Sequence, residues 1–533
     1  MLEEISLLRR LASLSNPFAR EHLLQSRRNA RPLSRLQTLR ASVLLDCLII
    51  GVGSLLIAHL IIVSYVDDQW LLRSIDTAWF LNRAHLMWRG VFDDAFVYQA
   101  TFPLLVGALN FITHDLVSAG LMVNTLALLA ALVGTYLLGR IFYNRQIAWI
   151  GVIALTTIWD FTVWVAHLQT ILFFNAVLVW CVLACWWLVR RPGALTAVLF
   201  ALALSFALYT RLEGGLYILL LAPAAWAIHH KTHDRKLTLR VIAISIVVFG
   251  IAAAFYGAVL LKNSDPSSSA GVFPMLNILT ATPIPWDVLS RRYTDTVFYG
   301  LVHWWPLWIW WLLLAGLIWP NQRYRLVNWA FAAFVAFNLV YGFVLSTWPL
   351  PRYLRHYVPF TALLIGGAAL WRPAFIRQWP GRIALVLLLF VLYWPGLWQI
   401  IRLTRLPQAD YRQSEIALDA ARIDQWLVEQ GWQDKEIFTL CPITPFTRSN
   451  FHLIYRLATT GHDEASLQRW WNSPNNLLPY IREHDLLLML CNPNSIYEDW
   501  DNYLDDPSAH SEQLREIHRI GHFVFYRVES RSE

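Results

Sequence analysis

The sequence predicts an α-helical multi-pass membrane protein of about eleven spans, followed by a small α/β domain. Three observations predict it. Of the 533 residues 57% are apolar and only 15% are charged, against about a quarter charged in soluble globular proteins. The mean hydropathy is +0.43. The 28 Trp, 28 Phe and 20 Tyr form an aromatic excess of the kind that collects at membrane interfaces. A soluble enzyme, a disordered regulator and a disulfide-stapled secreted module are excluded.

A bilayer core takes about 20 apolar residues per helix. On that template eleven segments qualify, near 42–65, 116–138, 147–166, 169–189, 195–210, 213–229, 241–261, 298–319, 326–346, 355–371 and 383–400. The segment 1–41 is polar and Arg-rich, so the first span is expected to act as an uncleaved anchor. Residues 1–400 hold 30 Lys/Arg, and 21 of them fall in the connections on the N-terminal side of the membrane. The positive-inside bias then makes the N-terminus cytoplasmic. An odd number of spans places 401–533 outside, and the bacterial cytoplasmic membrane is the expected location.

Net charge divides the chain the same way. Residues 1–400 carry +14 and residues 401–533 carry −7, within a total of +7. The basic residues sit between apolar spans, which argues against a nucleic-acid partner. The expected domains are therefore 1–41, a cytoplasmic segment; 42–400, the membrane part; and 401–533, a soluble extracytoplasmic domain. Two outer loops are long, 66–115 and 262–297. The first reads as amphipathic surface helices, and the second is rich in Gly, Pro and Ser. In the tail, SEIALDAARIDQWLVEQG reads as an amphipathic helix capped by Gly431, and EIFTLCP, DLLLMLCNP and GHFVFYRV read as buried strands.

The cysteines offer little catalysis. Cys47, Cys181 and Cys185 lie inside spans and read as packing residues. Cys441 and Cys491 each end a strand on the outer side; two buried thiols is the favoured reading and a disulfide the alternative. No Cys/His spacing resembles a zinc site.

Charges within or beside spans are costly, which makes them functional candidates. Asp76, in the first outer loop, suits a general base in partly apolar surroundings; it equally suits the first turn of a surface helix capped by Ser74. Asp93 and Asp94, before Tyr98, suit a divalent cation, the one cofactor the sequence offers, or a solvated turn. Arg211 and Glu213 stand two apart in LYTRLEGGLY, so they face one cavity only if the backbone breaks at Gly214-Gly215; a membrane-edge ion pair is the other reading. Arg352, Tyr353, Arg355 and His356 in TWPLPRYLRHYVP run against the positive-inside bias, and an arginine fork suits phosphate; snorkelling to headgroups is the alternative. Gln169, at the start of a span, suits a sugar hydroxyl or a neighbouring helix. The run HWWPLWIWW, which contains Trp304 and Trp305, suits sugar stacking or an aromatic belt.

Over residues 42–371 the order of these parts resembles the GT-C class of membrane glycosyltransferases, near the protein mannosyltransferases and lipopolysaccharide glycosyltransferases. Asp76 and Phe80 match an acidic first-loop element, and YQATFPLL loosely matches a proline-rich one. Thr210, Arg211, Glu213 and Gly214 match a Thr-Arg-x-Glu-Gly segment; Arg352, Tyr353 and Pro359 match an Arg-Tyr-…-Pro segment. Gln169 departs from the pattern, standing where many relatives carry an acid, and Gln99-Ala100 replaces a doubled proline. The resemblance implies a polyprenyl-phosphate-linked sugar donor, a glycan, lipid or protein acceptor, and inverting transfer at the outer leaflet among membrane lipids. It implies Asp76 as base and Arg352 and Arg355 at the donor phosphate. Two other classes remain open. A transporter or flippase of lipid-linked glycan requires polar residues at mid-span, whereas the charges here gather at outer ends. A catalytically silent scaffold predicts that Asp76→Ala leaves cellular glycans unchanged.

Overall fold

The computed structural model describes residues 41–64, 66, 75–88, 100–263, 317, 324–344, 358–369, 394, 398, 401–402, 415–432, 435, 437–439, 451–453, 478, 481–483, 485–491, 514–521 and 523–529. The chain divides into two compact units, Met1–Gly53 and Ser54–Glu533. The architecture described below lies in the second, apart from the first half of α1.

Among the described residues the longer helices are α1 Ala41–Ser64, α2 Ile75–Trp88, α3 Thr101–Thr113, α4 Leu116–Phe142, α5 Arg145–Thr157, α6 Thr170–Arg190, α7 Ala194–Thr210, α8 Leu221–Thr232, α9 Arg235–Asn263, α10 Arg325–Val344, α11 Val358–Ala369 and α12 Glu415–Glu429. Of these, α1, α4, α6 and α9 are long and apolar enough to cross a membrane. Lipid offers no partner to backbone N–H and C=O groups, so a long apolar run satisfies them internally as helix. The expected spans 298–319 and 383–400 fall almost wholly outside the described residues.

Short links dictate neighbours. Tyr143-Asn144 joins α4 to α5, Arg191–Gly193 joins α6 to α7, and His233-Asp234 joins α8 to α9. Links this short force each pair antiparallel and adjacent. Asn144 caps α5 by accepting the Ile147 N–H at 2.9 Å, and Asp234 caps α9 by accepting the Leu237 N–H at 3.0 Å. Phe174, Leu178, Phe200, Leu204, Tyr217 and Val241 form a buried core within α6–α9. On the other flank α11 runs antiparallel to α5. A methyl group at Gly151 would stand 3.5 Å from the Ala362 carbonyl oxygen, and one at Gly366 would stand 3.0 Å from that of Ile147.

Two segments differ from the expected spans. The segment 147–166 does not continue as one helix: α5 ends at Thr157, and Trp159–Thr162 and Val163–Val165 form only short turns. The hydroxyls of Thr156 and Thr157 bond back to the Ile153 carbonyl at 2.9 and 3.0 Å, and β-branched residues follow, a combination that weakens a helix. The segment 213–229 begins as a 3-10 stretch, Leu212–Leu220, before α8.

The tail holds a five-stranded sheet of β1 Ile437–Thr439, β2 Phe451–Leu453, β3 Leu487–Cys491, β4 Leu514–Ile520 and β5 Phe523–Val528. Its order is β2-β1-β3-β5-β4, with β1 parallel to both neighbours and the β3-β5-β4 part antiparallel. The amphipathic helix α12 is present, and Gly431 takes φ +70° after it while the Trp432 N–H reaches back to the Leu427 carbonyl at 2.8 Å. Cys441 lies outside the described residues, as do 1–40 and 264–297; Cys47, Cys181 and Cys185 are free thiols.

Candidate functional site

The α6–α7 hairpin places two candidates at one end of the bundle. Gln169 immediately precedes α6, and Arg211 immediately follows α7. Because the hairpin is antiparallel, both stand at its open end. The packing agrees: the Arg211 guanidinium lies over the Phe174 ring, 5.8 Å from its centroid.

At Arg211 the helix breaks. Its backbone is extended, at φ −155° and ψ 141°, and the Gly214 N–H closes back onto its carbonyl at 2.8 Å. A side chain at Gly214 would meet the Ala207 carbonyl oxygen at 2.2 Å, so only glycine fits the return. The break brings Arg211 Nη2 to 3.0 Å from Glu213 Oε1. Arg211 keeps 4% side-chain exposure and Glu213 24%. A pair this far from water needs good geometry to recover its desolvation cost. Its planar fork suits phosphate or carboxylate groups.

The surface helices meet the same end. Phe80 of α2 packs edge-on to Phe102 of α3 at 5.6 Å between centroids, Phe102 meets Phe173 of α6 at 6.4 Å, and Phe173 meets Phe206 of α7 at 5.7 Å. Asp76 lies in the first turn of α2, one turn before Phe80. This aromatic chain links α2 and α3 to the open end of the hairpin that carries Gln169, Arg211 and Glu213. Trp88 closes α2 onto α3, its indole N–H donating to the Leu104 carbonyl at 2.9 Å.

Residues of the sheet domain belong to the same continuous core as this end. Phe80, Leu81, Phe102 and Leu168 share a cluster with Ile423, Leu487, Met489 and Phe525. The α11–α5 contacts run antiparallel, with Ala362 beside Gly151 and Gly366 beside Ile147, so α11 also starts toward the end where α5 finishes.

Tyr98, Asp93 and Asp94 lie outside the described residues, as do Arg352, Tyr353, Arg355, His356, Trp304 and Trp305. Among the described residues no group of three or more His, Cys, Asp or Glu is placed to hold a metal ion.

Two residues at this end escaped the sequence reading. Arg83 is buried on α2, two turns after Asp76. Asn124 is buried in α4 and donates to the carbonyls of Trp164, Val165 and His167 at 3.1, 3.4 and 2.6 Å. Each had a signal: a charge or carboxamide amid apolar residues is costly to bury unless bonded.

Two solved proteins share this architecture. The crystal structure of ArnT from Cupriavidus metallidurans bound to undecaprenyl phosphate matches with a TM-score of 0.57 at 14% identity, over 91% of this chain and 97% of that one. Its apo state gives 0.55 at 14% identity, over 92% and 98%. The archaeal oligosaccharyltransferase AglB from Archaeoglobus fulgidus, in complex with an inhibitory peptide and a dolichol-phosphate, gives 0.53 at 10% identity, over 84% and 69%. No protein-family model and no curated protein matches the sequence. With its long apolar helices and these structural neighbours, the chain is an integral membrane protein with a GT-C-like membrane glycosyltransferase fold.

Proposed function

We propose that this protein is a membrane glycosyltransferase that moves a sugar from a polyprenyl-phosphate-linked donor to a glycan, lipid or protein acceptor at the outer face of the membrane. The observation that supports this reading is the placement of Gln169, Arg211 and Glu213 at the open end of the α6–α7 hairpin, in a fold shared with a polyprenyl-phosphate-bound protein. Asp76 takes the acceptor hydroxyl's proton as that oxygen attacks the sugar carbon, and the carbon–phosphate oxygen bond breaks with inversion. Arg352 and Arg355 are assigned, from the sequence, to stabilise the charge that builds on the departing phosphate. Gln169, Arg211 and Glu213, with Tyr98, Tyr353 and His356 from the sequence pattern, are assigned to substrate binding, and Asp93 and Asp94 to a second acidic site.

The Lys/Arg bias supports a cytoplasmic N-terminus in a bacterial inner membrane, with the 401–533 domain outside. A shared hydrophobic core supports placing that domain on the side of α2 and α3.

The test is release of free polyprenyl phosphate from labelled polyprenyl-phosphate sugars, supplied with crude acceptor lipids and glycans. Wild type is expected to release it and Asp76→Asn is not, while the variant still binds donor. Arg352→Ala is expected to raise the apparent donor KM. No release by the wild type with acceptors present overturns the reading in favour of a transporter or a silent scaffold.

A further inference from the structure

The residue that holds the first helix break lies in another helix. Between Thr157 and Thr170 the chain leaves the regular helical ladder, and carbonyls there need partners from elsewhere. Asn124 supplies them, forty residues earlier in the sequence. Its Nδ2 reaches the carbonyls of Trp164, Val165 and His167, with the His167 contact the shortest at 2.6 Å. Trp164 and His167 stack at 4.5 Å, and the Gln169 N–H donates to the His167 carbonyl at 2.7 Å. Gln169 is thus tied to Asn124 through a single shared carbonyl.

One turn earlier on α4, Gly120 lets the helix approach Leu168 and α2 closely. A methyl group there would stand 3.1 Å from both Leu168 methyls and 3.3 Å from Leu81 of α2. Gly120 and Asn124 lie four apart, on one face of the helix. That face touches the broken segment and the helix that carries Asp76.

We propose that Asn124 is a positioning residue, whose carboxamide fixes where Gln169 and the first turn of α6 stand relative to α2. The proposal rests on the glycosyltransferase reading, and it deepens that reading by naming what sets the geometry of the site. Asn124 does not touch substrate. Its effect reaches the chemistry through the backbone of residues 164–169. Misplacing a substrate-binding group by about 1 Å costs up to about 100-fold in rate.

The decisive variant is Asn124→Asp. It keeps the shape, removes both N–H donors and sets oxygen against three carbonyl oxygens. In the polyprenyl-phosphate release assay it is expected to lower kcat about tenfold or more, with donor KM changed less than about twofold. Amide hydrogen exchange is expected to quicken within 158–170 and to stay unchanged in α9. Gly120→Ala, which presses on Leu168 and leaves Asn124 intact, is expected to lower kcat in the same way and serves if Asn124→Asp does not fold. A merely structural role would reduce the yield of folded protein while leaving kcat per folded molecule unchanged, and that result overturns the proposal. Wild-type kcat in the folded variants overturns it too. The two readings separate cleanly: release by wild type, loss in Asp76→Asn and full activity in Asn124→Asp defeats this inference alone, whereas no release by wild type defeats both.

Discussion

The two ends of the helical bundle are built differently. At one end the chain reverses in two or three residues, at Tyr143-Asn144, Arg191–Gly193 and His233-Asp234. There the helix termini are closed by side chains: Asn144 and Asp234 cap helix starts, and the Lys231 ammonium donates to the carbonyls of Val189 and Arg190 at 3.3 and 2.7 Å. Tyr143 adds a buried bond from its hydroxyl to Asn328 Oδ1 at 2.7 Å. At the other end Asp115 caps α4 after the short His114-Asp115 link, but α5 and α7 stop in longer segments, 158–169 and 211–220, and no side chain caps the start of α6. The polar groups of these segments are met in two ways: by Asn124 of α4 in the first, and by the local Arg211–Glu213 ion pair in the second. The first end secures the fold at low cost. The second keeps polar groups at a depth where only a specific partner makes them tolerable, and such irregular backbone is characteristic of sites that line a cavity.

That contrast can be broken in a graded series. The largest effect is expected at Asp76→Asn, a loss of turnover of about 100-fold or more, read as polyprenyl phosphate release with donor binding retained. Glu213→Ala comes next. Leaving the buried Arg211 without its carboxylate is expected to cost about 3 kcal/mol, measured as a fall in unfolding temperature in detergent together with lost activity. Asn144→Ala, at the capped end, is expected to cost about 1 kcal/mol with turnover per folded molecule unchanged. Equal activity losses from Asn144→Ala and Glu213→Ala would erase the distinction between the ends.

The smallest effect belongs to the sheet domain, outside both ends. The Lys435 ammonium bonds to Asp485 and holds its carboxyl below the ordinary 3.8. The Asp485 side chain is 76% exposed, so solvent screens the pair; Asp485→Asn is expected to cost no more than about 0.5 kcal/mol. Because the folded carboxyl is the stronger acid, this contribution is complete above about pH 4 and fades as pH falls through the lowered value. The variant should therefore lose its difference from wild type in acid, which an unfolding series across that range measures.

The sequence made the first end far more legible than the second. An uninterrupted apolar run admits one solution in lipid, so α1, α4, α6 and α9 follow directly from composition. Short polar interruptions such as Tyr-Asn and Arg-Arg-Pro-Gly mark reversals. Apart from Asp160 and Thr162, residues 158–166 are apolar, and Thr156-Thr157 is only a weak local mark of where α5 stops; the partner that makes the break tolerable is Asn124, on another helix. In the tail, β1, β3 and β5 are apolar and were readable. The charged edge strand β4 was not: it alternates as LREIHRI, and a shift between Glu516 and His518 interrupts its register with β5.

The α6–α7 hairpin has a mechanical consequence. Gln169 and Arg211 stand at its two free tips, and its legs are packed together by the Phe174, Phe200 and Leu204 core. Such a hairpin behaves like a tuning fork with its prongs glued: it can tilt about Arg191–Gly193, but its tips cannot spread. Opening or closing this end of the bundle therefore carries the amide and the guanidinium together at constant spacing. The coordinate left is their separation from α2, and it is this that the Asn124 contacts hold.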